Sequence, residues 1–526
     1  MRTSTVALFA FFSCSLVTHE DGTLDLVLRG GWVVDGSGAP GRVADVGVRG
    51  DRVVAIGDLT GVSAREFVDV RGLVVAPGFI DIHAHSNHLE SPTAASKLFQ
   101  GVTLELTGNC GASQFAGEGD EGYRAFVERY ESIPTAIHIA SLVGHATLRE
   151  TVMGVAARAP TAAELGRMEQ LLAASLDAGA FGLSTGLEYE GGMADAAEIE
   201  ALARVVESRD GLYATHMRSE DSGLIEAVDE ALAVARATGV SLQISHLKAA
   251  GGPRHNWDKV DAVLARIEAA RVEGLEVMID RYPYLAYGTG LDFFFPEWAL
   301  DGGSGAFRER LDDPAARARM KPTVLDKVEN NGGWEATMLV GVGDANADLA
   351  GLRVDEAARV RSTTPFELAC DLLRDEGSVG IVGFAMSDAN TERIISLPYC
   401  MICSDGGAAP AVEDGRGHPR SFGAFPKSFR WYVRERGVIS LEEMVRKCSA
   451  LPAEKLGLTD RGRLAPGVLA DVVVFDAERF ADRASYLDPN RVAEGAVHVL
   501  VAGAWALRDG RQTDVRAGRV VSAPTN

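Results

Sequence analysis

Cysteine is scarce in this sequence, with six in 526 residues, far too few for a disulfide-stapled scaffold. Cys14, Cys110, Cys370, Cys400, Cys403 and Cys448 show no repeated spacing. Cys400 and Cys403 make one short pair, but no second pair exists to complete a zinc ribbon. They lie in an apolar strand-like run, where their side chains leave by opposite faces. Positive charge is also in deficit: 52 Lys and Arg stand against 74 Asp and Glu, a formal net charge of −22. That balance repels phosphate backbones and anionic lipid heads, so neither nucleic acid nor a membrane surface is an expected partner.

Long hydrophobic runs are missing too. The apolar stretch Val6 to Val17 is too short to span a bilayer, and no other segment comes nearer. With Arg2 ahead of it, this stretch reads either as a brief export signal, with Cys14 a lipid-attachment site, or as an irregular start before the first strand. Localisation is then periplasmic or cytoplasmic accordingly. Nothing in the composition fixes the oligomeric state.

The remainder is an ordinary folded composition, 46% hydrophobic and 24% charged, in a chain long enough for two or three structural units. Residues 23–75 read as short strands between glycine turns, and residues 462–526 repeat that style. Strand fragments at both ends predict one small β domain assembled from the two termini, a β-sandwich, with residues 76–461 inserted in it. The insert alternates strands with helices, two of which open on the capping boxes Thr161-Ala-Ala-Glu164 and Ser440-Leu-Glu-Glu443. Eight strand candidates cover 75–85, 102–110, 135–144, 180–187, 211–217, 240–247, 275–282 and 399–405. Eight β-then-α units predict an α/β fold, a closed (β/α)8 TIM-like barrel. The interval between the last two strands is too long for one helix, so an inserted subdomain or lid is expected over about 290–345.

Polar residues collect where a barrel enzyme needs them. His83, His85, Cys110, His216, His246 and Asp405 fall at the C-terminal ends of candidate strands, the end that carries the active site in barrel enzymes. His83 and His85 are two residues apart and project from one strand face, a usable chelate. Imidazoles with one thiolate suit zinc, and a thiolate can bridge two cations. Taken singly, a buried histidine is most often a hydrogen-bonded core residue and a lone cysteine a small hydrophobe. Six such residues converging on one rim outweigh those readings. His88, His138, His145, His255, His418 and His498 are read as ordinary, with His145 and His418 on rim loops.

On these residues the sequence resembles the amidohydrolase superfamily and, within it, the D-aminoacylase branch of N-acyl-D-amino-acid deacylases. Ala76-Pro-Gly-Phe-Ile-Asp-Ile-His-Ala-His85 is similar to the superfamily's first-strand motif, and Gly108-Asn-Cys-Gly111 to the branch marker. That branch uses a cysteine in place of a carboxylated lysine on the fourth strand, which here contains no lysine. Thr215-His-Met-Arg218, Ser245-His-Leu-Lys248, Tyr282-Pro-Tyr284, Ser404-Asp-Gly406 and His418-Pro-Arg-Ser-Phe-Gly423 extend the resemblance.

The resemblance implies a tight zinc on Cys110, His216 and His246, and a second, weaker position on His83, His85 and Cys110. Asp405 becomes the catalytic acid and base, while Tyr189, Lys248, Tyr282 and Arg420 bind the substrate and its carboxylate. The implied activity is zinc-dependent hydrolysis of the acyl–amide bond of N-acyl-D-amino acids, with metal-bound hydroxide as nucleophile. The alternatives are a cyclic-amide hydrolase or dipeptidase on the same metal frame, and a non-catalytic metal-binding relative. Two departures bear on the substrate: Gly288 stands where the family supplies a serine, and the loop between Asp405 and Arg420, with Glu413, Asp414 and Arg416, is long.

Overall fold

The computed structural model describes residues 23–115, 122–154, 156–189, 193–252, 255–411 and 417–524. Cys14 and the whole apolar N-terminal stretch lie outside them, as do Glu413, Asp414 and Arg416. Among the described residues no helix is long and apolar enough to cross a membrane.

Eight parallel strands form the barrel: Phe79–Asp81, Val102–Thr107, His138–Ser141 continuing as Val143–Gly144, Gly182–Gly186, Leu212–His216, Ser241–Ile244, Val277–Arg281 and Cys400–Ile402. The third is in two pieces, broken at Leu142. The eighth strand meets the first through the Ala84–Gly406 bridge, with the Asp405 amide donating to His83 O at 2.9 Å. Helices cover the outside because their apolar residues recur at helical spacing. In Leu224–Thr238 the buried positions are Leu224, Ala227, Val228, Ala231, Leu232, Val234 and Ala235, one stripe against the strands. Such fully buried Leu and Val side chains contribute about 1.5–3 kcal/mol each. Thr161 closes a full capping box with Glu164, whereas Ser440 accepts from the Glu443 amide without the reciprocal bond.

Strands from both chain ends share one nine-stranded sheet. Val74–Pro77 pairs with Val472–Phe475, setting Val75 opposite Val474. An Arg52–Leu469 bridge curls the sheet over a core of Leu28, Val46, Val53, Val472 and Leu500. The chain then runs beneath the barrel, where the Gly518, Val521 and Ala523 amides donate to Thr135, Ile139 and Gly179 carbonyls.

Between the seventh and eighth barrel strands a separate antiparallel sheet forms from Tyr287–Gly290, Thr337–Gly341 and Gly380–Gly383. Helices Gly303–Asp312, Pro314–Asn330 and Pro365–Glu376 pack against one another and share a buried cluster with Leu339 and Ile381 of this sheet. This unit runs on past residue 345, because Gly380–Gly383 is its central strand.

Candidate active site

The six rim residues meet at the C-terminal mouth of the barrel, and three get there by an unusual backbone. Cys110, His246 and Asp405 have φ of +52°, +35° and +51°, left-handed values that cost a non-glycine residue roughly 1–2 kcal/mol. Each turns the chain sharply as its strand ends and throws the side chain across the mouth. Gly108, at φ +75°, starts the Cys110 turn, and a Cβ there would run into the Leu142 carbonyl. The motif around Cys110 is therefore a turn that sterics dictate.

Cys110 Sγ stands 3.4 Å from His83 Nε2, 3.5 Å from His246 Nε2 and 3.9 Å from His216 Nδ1. His216 Nδ1 and His246 Nε2 are 3.0 Å apart. Ordinary zinc bond lengths on a tetrahedron require S–N edges of about 3.5 Å and N–N edges of about 3.3 Å, so the donor set fits the ion. His83, His85 and Cys110 bring their donor atoms within 4.8 Å of one another and make a second group on the same sulfur. Asp405 Oδ1 is 3.0 Å from His85 Nε2 and 3.5 Å from His83 Nε2.

Acids behind the cluster aim it. Asp280 lies 3.3 Å from His83 Nδ1, Glu188 3.2 Å from His216 Nε2, and Glu220 3.0 Å from His246 Nδ1. A carboxylate on the far nitrogen takes up the N–H and turns the other lone pair inward. Sequence patterning overlooked these acids because one carboxylate near a strand end looks like any surface acid. Glu220, four residues after His216, carried the clearest signal.

Electrostatics report one demand. Burial pushes the Cys110 thiol up, but the His83 charge and hydrogen bonds from His216 and His246 outweigh it and hold the thiol well below its usual value. Burial likewise opposes charge on His216, yet Glu220, Cys110 and Glu188 lift it to about 10. The cluster calls for positive charge at its centre. Asp405 is held well below the carboxylate range, since Arg420 and the histidines overcome its burial.

A cleft of about 400 Å³ opens on the cluster. Tyr189, Lys248, Tyr282 and Arg420 all line it, together with His85, Cys110, His216, His246 and Asp405, while His83 lies buried behind that surface. Their surroundings differ. Arg420 Nη1 donates to Asp405 Oδ2 at 2.5 Å and Nη2 to Gly288 O at 3.2 Å. Lys248 Nζ is bonded to both Glu220 oxygens at 2.5 Å. Tyr189 packs on the His216 ring at 4.6 Å. The Tyr282 hydroxyl is buried without a hydrogen-bond partner, and so is that of Tyr287, which the sequence did not flag. Both residues line the cleft. From the inserted unit, Lys327 reaches Glu188 at 3.4 Å and sits 3.9 Å over the Phe293 ring.

Comparison with known proteins gives the family. The amidohydrolase family model matches residues 66–279 and 410–506. An N-acyl-D-glutamate deacylase of Alcaligenes xylosoxydans xylosoxydans is 39% identical over 499 residues, covering 91% of this chain and 93% of its own. The chain belongs to the amidohydrolase family. A D-aminoacylase of the same organism is 35% identical to this amidohydrolase, over 95% of the chain and 97% of the relative. Among solved structures, an N-acyl-D-glutamate deacylase from Bordetella bronchiseptica, complexed with zinc and a phosphonate inhibitor that mimics the tetrahedral intermediate, superposes with a TM-score of 0.81. It is 35% identical, covering 95% of this chain and 100% of that one.

Proposed function

We propose that this amidohydrolase cleaves the acyl–amide bond of N-acyl-D-amino acids, releasing a D-amino acid and a carboxylic acid. One observation carries the reading: a zinc-fitting thiolate–imidazole cluster lies beside a buried carboxylate, Asp405, that is itself ion-paired to an arginine lining the cleft. The deacylase relatives supply the substrate class.

Cys110, His216 and His246 would hold the tighter zinc, and His83 and His85 a second position through the shared Cys110. Zinc in such a site lowers the pKa of water to about 7 and polarises a carbonyl oxygen. Asp405, ionised and aimed at the cluster, takes the proton from the attacking water and passes it to the departing amide nitrogen. Arg420 offers parallel donors to the substrate carboxylate, with the Tyr282 ring 5.3 Å from its guanidinium. Lys248, fully paired with Glu220, reaches the substrate only by sharing that partner.

The test is a substrate panel with elemental analysis. N-acetyl-D-amino acids should be hydrolysed in preference to their L forms and to hydantoins, by protein carrying zinc. Turnover of hydantoins alone would replace the reading by a cyclic-amide hydrolase.

A further inference from the structure

We infer that His418 is a positioning residue, holding in place the backbone from which Arg420 meets the substrate carboxylate. The inference rests on the role given to Arg420 above.

His418 lies in the loop before the helix Arg420–Ser428, and its two ring nitrogens have fixed duties. Nε2 faces Ala286 O at 2.8 Å, and a carbonyl can only accept, so Nε2 carries the hydrogen. Nδ1 is then a lone pair, and the Arg420 amide donates to it at 3.1 Å. That amide is the first of the helix, so it has no intrahelical carbonyl, and Pro419 has no side-chain group to cap it. The imidazole of His418 does the capping instead.

Packing keeps the ring in that pose. Tyr284, Tyr486 and Tyr282 meet it edge-on at centroid distances of 5.1, 5.3 and 5.9 Å. Burial, reinforced by the Arg420 charge, holds the imidazole well below its usual pKa, so it keeps its acceptor nitrogen. Ala286 and Gly288, two residues apart after the seventh barrel strand, give their carbonyls to His418 and to Arg420 Nη2. Residues 286–288 and 418–420 are thus stitched together, with His418 as the stitch that acts on the Arg420 backbone.

His418→Leu fills the space between the tyrosines but accepts nothing, whereas His418→Asn puts an oxygen where Nδ1 stands. Both are loaded with zinc and titrated calorimetrically with an uncleavable N-alkylsulfonyl-D-amino acid and with its carboxamide counterpart. His418→Leu should weaken the carboxylate ligand by about tenfold, leave the carboxamide and the zinc content unchanged, and raise KM more than it lowers kcat. His418→Asn should restore most of the loss. Equal weakening of both ligands, loss of zinc, or unchanged carboxylate binding in the leucine variant overturns the inference. Should His418→Leu not fold, weak carboxylate binding by His418→Asn overturns it as well. A parent protein that shows no preference for the carboxylate ligand refutes the role of Arg420 itself, and that outcome is read on the parent alone.

Discussion

Arg420 donates to Asp405 at 2.5 Å, so the proposed carboxylate anchor and the proposed proton carrier form one ion pair. Asp405→Asn should therefore do two things. Losing the base should lower kcat by roughly 10²–10⁴-fold, and releasing Arg420 should change KM as well, while bound zinc stays near the parent level. Steady-state kinetics with metal analysis checks this, and retained turnover would remove Asp405 from the mechanism.

Glu188 and Glu220 stand behind His216 and His246 at 3.2 and 3.0 Å. Replacing either by Gln should cost about 10–100-fold in zinc affinity, the usual effect of losing such a partner. Competition against a chromophoric chelator measures it. Chelator treatment of the parent should abolish activity and lower Tm, because a ligand bound only by the folded state stabilises that state.

Lys97, on the helix Ala95–Leu98, is buried, and its ammonium meets Glu105 at 2.6 Å, Ser404 Oγ at 2.7 Å, Asp81 at 2.8 Å and Gly406 O at 3.0 Å. Asp81 also accepts from the Ser404 amide, so this network holds the turn that presents Asp405. Lys97→Met would deprive two buried carboxylates of their shared ammonium and should destabilise the fold by about 3–5 kcal/mol. The readout is thermal unfolding of the apo protein, and an unchanged Tm would show the network to be dispensable.

Lys455 lies under the barrel with Nζ 2.5 Å from Ser241 Oγ and 3.1 Å from Glu276. Burial pushes its ammonium down to about 8 from 10.5, and attraction to the half-exposed Glu276 offsets only part of that. Between these values the unfolded chain holds a proton that the folded chain has released. Stability from this group therefore rises with pH across the window and is flat below it. Lys455→Met should be more stable than the parent at pH 7, by up to about 3 kcal/mol, with the gap closing towards pH 10. Parallel Tm curves for the two proteins would contradict the assignment.

Much of this molecule was legible in its sequence, and the reasons are physical. Strand ends bearing His83, His216 and His246 are recognisable because a parallel strand is short and its functional residue follows an apolar run. The contribution of both chain ends to one sheet was equally readable from matching turn-rich strands. Pairings across space were hidden. Nothing local to Asp280 announces His83, and nothing local to Lys327 announces Glu188. His418 looked like any loop histidine, because its role depends on a carbonyl 132 residues away in the chain. The left-handed backbone at Cys110, His246 and Asp405 was also invisible, since non-glycine residues adopt it only when surrounding structure compels them.

Pairing Val74–Pro77 with Val472–Phe475 sets an order of assembly. Every barrel strand leaves the ribosome before the partner that completes the terminal sheet, and the bonds beneath the barrel form later still, once residue 523 has been made. Until Val472–Phe475 has emerged, the edge of Val74–Pro77 opposite the Leu24–Val33 strand stays unpaired, a state open to association with other chains. Slow maturation, helped by chaperones and hindered by high expression temperature, is the expected behaviour in the cell.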